Sequence, residues 1–412
     1  MIGGDEMTPC KINLDKIKER YGAAGIEAAL ELRSMYPMEA VDWLASLWDG
    51  KIGGFYYATS ARVTDGFLPD SESTMQAVGL LRTLGLINDY PDLPDGMKRK
   101  LGEFAKALQD PDGYFYHPQW KEMMMANPER YNSRRGRDLG QCCWLVRSIA
   151  GMETTYPDAY ANIKQYAETT KAEGEARIPD HLRSKEAFIK YLDELDINTA
   201  SYPKGHRISS QAGQIVAAGL RDVCLEYMSA KQNLENGTWE NQVNYASVNG
   251  VTKICSAYVG LGATLPNAAL AFRSCLEVAL SSEDGDGITN VYNPIGTMEQ
   301  MLLDFKKMGM DDEYREAQGM LADRGVDLMR ITAEKLRPFY KENESVFSYC
   351  KAGSCPTSQG VPASLGLPEG DVNAESLSVG TMRRVYDILG LDVGKCFDTS
   401  DGKAFFEKIG EI

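Results

Sequence analysis

Three shortages bound what this chain can be: histidine, positive charge and long apolar runs. Its 412 residues contain only three histidines, and 44 Lys and Arg face 59 Asp and Glu, for a net charge of −15. That balance argues against nucleic acid as a partner, because phosphate neutralisation needs a basic surface. No apolar stretch is long enough to cross a bilayer, so no membrane partner is expected. Met1 to Lys11 has neither the basic start nor the apolar run of a signal peptide, and the expected location is the cytoplasm. The nine cysteines are odd in number and scattered. Cys142, Cys143, Cys224 and Cys255 fall in apolar helical stretches, which fits buried thiols in a reducing compartment better than a disulfide framework. None of His117, His181 and His206 stands at ligand spacing from a cysteine, and Cys350 and Cys355 form a single pair without a second. No metal site is expected on that pattern. No phosphate-binding glycine signature follows a strand, so no nucleotide cofactor is expected either. Strand-like runs are short, and no Pro/Ser-rich linker divides the chain.

What is present is a repeat. Six times a glycine- or aromatic-bearing loop leads into a helix of small and apolar residues, and internal periodicity of this kind speaks to the fold. The clearest copy runs from Gly53-Gly54-Phe55 through Pro69-Asp70 and Ser73-Thr74 to Leu84-Gly85. Others run from Gly113-Tyr114-Phe115 to Gly151, from Tyr202-Pro203-Lys204-Gly205-His206-Arg207 through Ile208 to Leu220, and from Gly237-Thr238-Trp239 to Leu261-Gly262. The last two run from Asp286-Gly287 through the loop residues Tyr292-Asn293-Pro294 to Met308-Gly309, and from Phe347-Ser348-Tyr349 through Asn373-Ala374-Glu375 to Leu389-Gly390. These helices lack a strongly charged face, as in 208–220, so protein should surround them. Amphipathic stretches at 157–172, 185–194, 220–234, 264–281 and 311–336 alternate with them and belong outside. The pattern predicts an all-α chain, a single (α/α)6 toroid with an N-terminal helix at 12–34, six helix pairs over 36–390 and a tail at 391–412. Long loops at 52–70, 110–136 and 345–372 should gather at one mouth.

The Gly-Gly-Phe, Pro-Asp, Ser-Thr and Leu-Gly elements of the first copy, echoed at Gly237-Thr238-Trp239 and Leu261-Gly262, resemble the repeats of terpenoid cyclases and protein prenyltransferases. The resemblance implies an α/α toroid. The chain departs from both families at their chemistry: it has no Asp-x-Asp-Asp run and no Asp, Cys and His set at zinc-ligand spacing. Toroids of this kind also occur in glycosidases, sugar epimerases and polysaccharide lyases.

In a toroid the starts of the inner helices converge. Glu72, Asp138 and Asn249 each stand thirteen residues before the closing glycine of their repeat (Gly85, Gly151 and Gly262), while Asp70 and Glu375 stand fifteen before Gly85 and Gly390. A hydrolase would draw its carboxylates from Asp70, Glu72, Asp138 and Glu375. Helix N-termini favour anions, and Asp70 and Asp138 are also natural capping residues. Arg134-Arg135-Gly136-Arg137, directly before the second inner helix, offers guanidinium forks for a carboxylate or phosphate. A lyase would use His206 or Tyr245 as base beside a carboxylate held by Arg137. Arg134, Asn244, Asn249 and the aromatics Tyr57, Tyr116 and Trp120 are candidate substrate contacts, whereas Phe55, Phe115 and Trp239 read as packing. His181 reads as a surface residue. The expected function is a carbohydrate-active enzyme, hydrolase or lyase, acting on a small-molecule or oligosaccharide substrate without a cofactor. An isoprenoid enzyme and a non-catalytic binding or scaffold toroid are the alternatives.

Overall fold

The computed structural model describes residues 11–391 and 393–412, and these are mostly helical. The first six α-helices are α1 (Leu14–Arg33), α2 (Ala40–Ser46), α3 (Thr59–Val63), α4 (Ser71–Leu84), α5 (Asp95–Ala107) and α6 (Lys121–Ala126). The next six are α7 (Asn132–Cys143), α8 (Ala159–Thr169), α9 (Lys185–Leu195), α10 (Ser201–Ser209), α11 (Ala212–Ala217) and α12 (Arg221–Ala230). The last six are α13 (Tyr245–Gly260), α14 (Ala268–Leu280), α15 (Thr289–Met308), α16 (Asp311–Leu336), α17 (Val372–Ile388) and α18 (Thr399–Lys408). Three antiparallel hairpins of two residues per strand brace the loops, pairing Trp48–Asp49 with Gly54–Phe55, Tyr340–Lys341 with Val346–Phe347, and Thr357–Ser358 with Val361–Pro362. No helix among the described residues is long and apolar enough to cross a membrane.

Six helices form a closed circuit of contacts: α4 touches α7, α7 touches α10, and the chain of neighbours continues through α13, α15 and α17 back to α4. α13 shows why such a helix must be surrounded. Val248, Val251, Ile254, Cys255 and Tyr258 bury its circumference on several sides, and each fully buried Val or Ile contributes roughly 1.5–3 kcal/mol. α14 and α16 pack on α15 and on each other, and α1 lies on α16.

The loop glycines of the repeat have a common physical reason. Gly53, Gly113 and Gly237 all adopt positive φ (87°, 90° and 73°). A Cβ on each would strike main chain of a neighbouring helix or its lead-in: Lys100 O at 2.6 Å, Ala159 N at 2.9 Å and Ala271 N at 2.3 Å. Only glycine satisfies both demands. The aromatic that follows each one, Phe55, Phe115 or Trp239, is fully buried, as the packing reading expects.

Three boundaries differ from the sequence expectation. The third circuit helix is α10, so Tyr202 to Arg207 are helical; Pro203 is tolerated because amides of the first turn have no intrahelical acceptor. The Arg134–Arg137 cluster lies inside α7 instead of before it, and the helix continues as a π-helical segment, Trp144–Ile149. Tyr292-Asn293-Pro294 likewise belongs to α15. Among the described residues seven cysteines are free, five of them buried, whereas Cys396 is disulfide-bonded, a bond that the expectation of buried thiols did not include.

Candidate functional site

Several polar residues of the circuit stand at or near the starts of α4 and α7. Asp70 caps α4, accepting from Glu72 N at 2.9 Å, Ser73 N at 3.1 Å and Ser73 Oγ at 2.5 Å. Glu72 points away from that cap into a cluster of arginines on α7. Arg134, 1% exposed, reaches Asp70 and Glu72 at 3.2 Å each and Asp138 at 2.9 Å. Its guanidinium lies 5.1 Å from the Trp120 ring centroid. Arg137 holds both carboxylate oxygens of Glu72, with Nη2 on Oε1 and Nε 3.3 Å from Oε2. Burial would raise the Glu72 pKa, but Arg137 and Arg134 outweigh it and hold the group down at about 2. Asp138 goes the other way: burial raises it despite Arg134 and a 2.8 Å hydrogen bond from Ser71. Leaving any of these charges unpaired in the interior would cost several kcal/mol.

α10 and α13 supply the opposite side. They approach closely because Gly250 has no side chain; a Cβ there would overlap Ser201 Oγ at 1.8 Å. This contact sets Tyr202 and His206 of α10 beside Lys253 of α13, whose Nζ is 5.4 Å from the Tyr202 ring centroid. Burial, together with the charge of Arg137, lowers the Lys253 ammonium to about 8. Burial, Lys253 and Arg137 push His206 down to about 3, so its imidazole is uncharged at neutral pH. Neither His206 ring nitrogen has a hydrogen-bond partner. Tyr202 hydrogen-bonds Tyr349, and the Tyr349 hydroxyl stands 3.5 Å from Thr289 Oγ1. Arg137, Tyr202, His206 and Lys253 are all partly accessible. The cluster therefore sets two cations, an unprotonated imidazole whose ring nitrogens are themselves buried, and two phenols beside an ionised glutamate.

The remaining candidates lie elsewhere. Tyr245 is at the start of α13, but its ring faces Lys335 (5.0 Å) and its amide binds Glu283 at 3.0 Å, in a separate cavity between α13, α14 and α16. Glu375 is fully buried under the 340–371 loop, accepting from Phe347 N at 2.9 Å. Asn244 caps α13 in a capping box with Ser247. Asn249 bridges α13 to α15 through Asn290 at 2.7 Å and Asn293 at 2.9 Å. Tyr57, Tyr116 and Trp120 are buried, so their rings serve packing: Tyr57 hydrogen-bonds Asp371, Tyr116 donates to Asp112 and Trp120 stacks on His117. His181 is buried too, stacked on Tyr191 with Nε2 2.9 Å from Gln211, because the segment carrying it folds in against α9.

Lys253, Tyr202 and Tyr349 escaped sequence reasoning. Lys253 left a signal, being the only charged residue in the sixteen of α13. Among the described residues no group of three His, Cys, Asp or Glu side chains could hold a metal ion. No protein family, curated protein or solved structure matches the chain.

Proposed function

We propose that the chain is an α/α toroid of six hairpins and that its interior catalyses elimination at an anionic sugar, a uronic-acid-containing oligosaccharide. The closed circuit from α4 to α17 supports the architecture. The observation that carries the chemistry is His206, uncharged and unpartnered at both nitrogens, set among Arg137, Lys253 and Tyr202. Arg137 and Lys253 bind the substrate carboxylate and stabilise the charge that develops on it. His206 removes the proton from the carbon next to that carboxylate. The electron pair forms a carbon–carbon double bond and expels the glycosidic oxygen, which takes a proton from Tyr202 or Tyr349. Glu72 fixes the Arg137 guanidinium and offsets one positive charge.

Hydrolysis by a carboxylate pair has weaker support. Asp70 is spent on its cap, Asp138 on Arg134 and Ser71, and Glu72 is clamped by two arginines. Isoprenoid chemistry has less support still, since two cations in the interior would repel a carbocation.

The test is incubation with a panel of polyuronates while recording the ultraviolet absorbance of a double bond conjugated to a carboxylate. His206→Ala is expected to abolish that signal, with the melting temperature retained. New reducing ends without absorbance would move the assignment to hydrolysis. No turnover of any polyuronate would refute the reading.

A further inference from the structure

We propose a second ligand site further along α4, one that binds a small tetrahedral oxyanion of the phosphate- or sulfate-ester class. A cavity of about 390 Å³ lies between the later turns of α4 and the middle of α17, and its lining includes Arg82, Arg383, Arg384, Lys395, Tyr292 and Ser376. No carboxylate is among its described lining residues, in a protein of net charge −15. Arg82 is ten residues beyond Glu72 on α4, which at 1.5 Å per residue places it roughly 15 Å further along the helix. The cavity is therefore distinct from the His206 site.

The arginines keep their donors available. Arg82 meets Asp89 only at 3.7 Å, and Arg383 meets Asp387 at 3.5 Å and Glu299 at 3.8 Å. At these separations the pairs share charge without good hydrogen bonds. Arg384 is held in place instead: its Nε binds Glu299 at 2.6 Å and its guanidinium lies over the Tyr292 ring at 4.8 Å. Gly380 leaves room for it, since a Cβ there would stand 2.8 Å from Arg384 Nη1. Arginines from two helices, with Lys395 from the following segment, thus converge on one small polar space with the Ser376 and Tyr292 hydroxyls. Planar guanidinium forks match the oxygens of phosphate and sulfate, and the volume falls in the range of small-ligand pockets.

Titration calorimetry of the full chain with inorganic phosphate and with sulfate, against acetate at equal ionic strength, tests the site. Saturable binding of at least one tetrahedral anion is expected, weakened at least tenfold in Arg82→Gln/Arg383→Gln and unchanged in Arg137→Gln. Both replaced arginines are about half exposed, so the double variant should fold. Ser376→Asp, which puts a carboxylate into the cavity and leaves every arginine in place, should also block binding. Equal affinity in the double variant, loss only in Arg137→Gln, or heats matched by acetate would overturn the proposal. These readouts do not depend on elimination activity, so either reading can fail alone.

Discussion

Replacing Glu375 by glutamine tests how the loop over α17 is held. The carboxyl is fully buried, accepts one hydrogen bond from Phe347 N and leaves Oε1 without a partner. Ser378 Oγ, one turn further along α17, is also buried and unpartnered. Burial, reinforced by the nearby Asp371 charge, raises the Glu375 pKa from 4.5 to about 8. Because the folded state holds this proton more tightly than the unfolded chain, the contribution is fully present below pH 4.5. It is lost as pH rises through about 8. At about 1.4 kcal/mol per pH unit, that interval sets a ceiling of roughly 5 kcal/mol. Glutamine keeps the acceptor for Phe347 N, offers its amide towards Ser378 and does not titrate. Urea unfolding from about pH 5 to about pH 9 should show wild type losing stability relative to Glu375→Gln, with the two close at the acid end. The variant should be the more stable by a few kcal/mol at the alkaline end. Parallel curves across the range would refute the reasoning, for they would mean that the carboxyl ionises in the folded protein at no cost.

Gly237→Ala should destabilise the fold by roughly 2–4 kcal/mol, since positive φ and the Ala271 main chain both oppose a Cβ. At Gly262 φ is also positive but the space is open, so thermal unfolding of Gly262→Ala should show a cost nearer 1 kcal/mol. Reductive methylation followed by NMR should find two dimethyl-lysine resonances titrating near 8, from Lys253 and Lys335, and Lys253→Met should delete one. Glu72→Gln leaves Arg134 and Arg137 poorly neutralised in the interior and should cost roughly 3–5 kcal/mol at neutral pH. With a folded pKa held at about 2, that contribution is present above 4.5 and fades as pH falls towards 2, which acid unfolding would follow.

The parts of the fold legible in the sequence were those fixed by backbone geometry. Gly53, Gly113 and Gly237 could be read because no other residue takes their φ with main chain so close. Likewise, 311–336 could be read because a long run of charge on one face has no other use. The start of α10 was hidden, since Pro203 and Gly205 look like a loop although the first turn accepts one and close packing on α13 requires the other. The same limit governs the site. Glu72 and Arg137 were visible as unusual residues at helix starts. Their pairing, and the commitment of Asp70 and Asp138 to Arg134, depend on how α4 and α7 are set against each other. Nothing local in Lys253-Ile254-Cys255 announces that the lysine turns towards His206.

The contact between α4 and α17 joins residues some three hundred positions apart. A linear array of helical pairs can gain stability step by step as it is synthesised, and it survives the trimming of an end unit. Here α4 lacks one flank until Val372–Ile388 has left the ribosome. The some three hundred residues between these two helices must therefore wait, partly assembled, for α17. Such a protein should depend on chaperones during synthesis more than its mature stability suggests. A stop codon anywhere before residue 372 should yield insoluble chain instead of a smaller folded fragment.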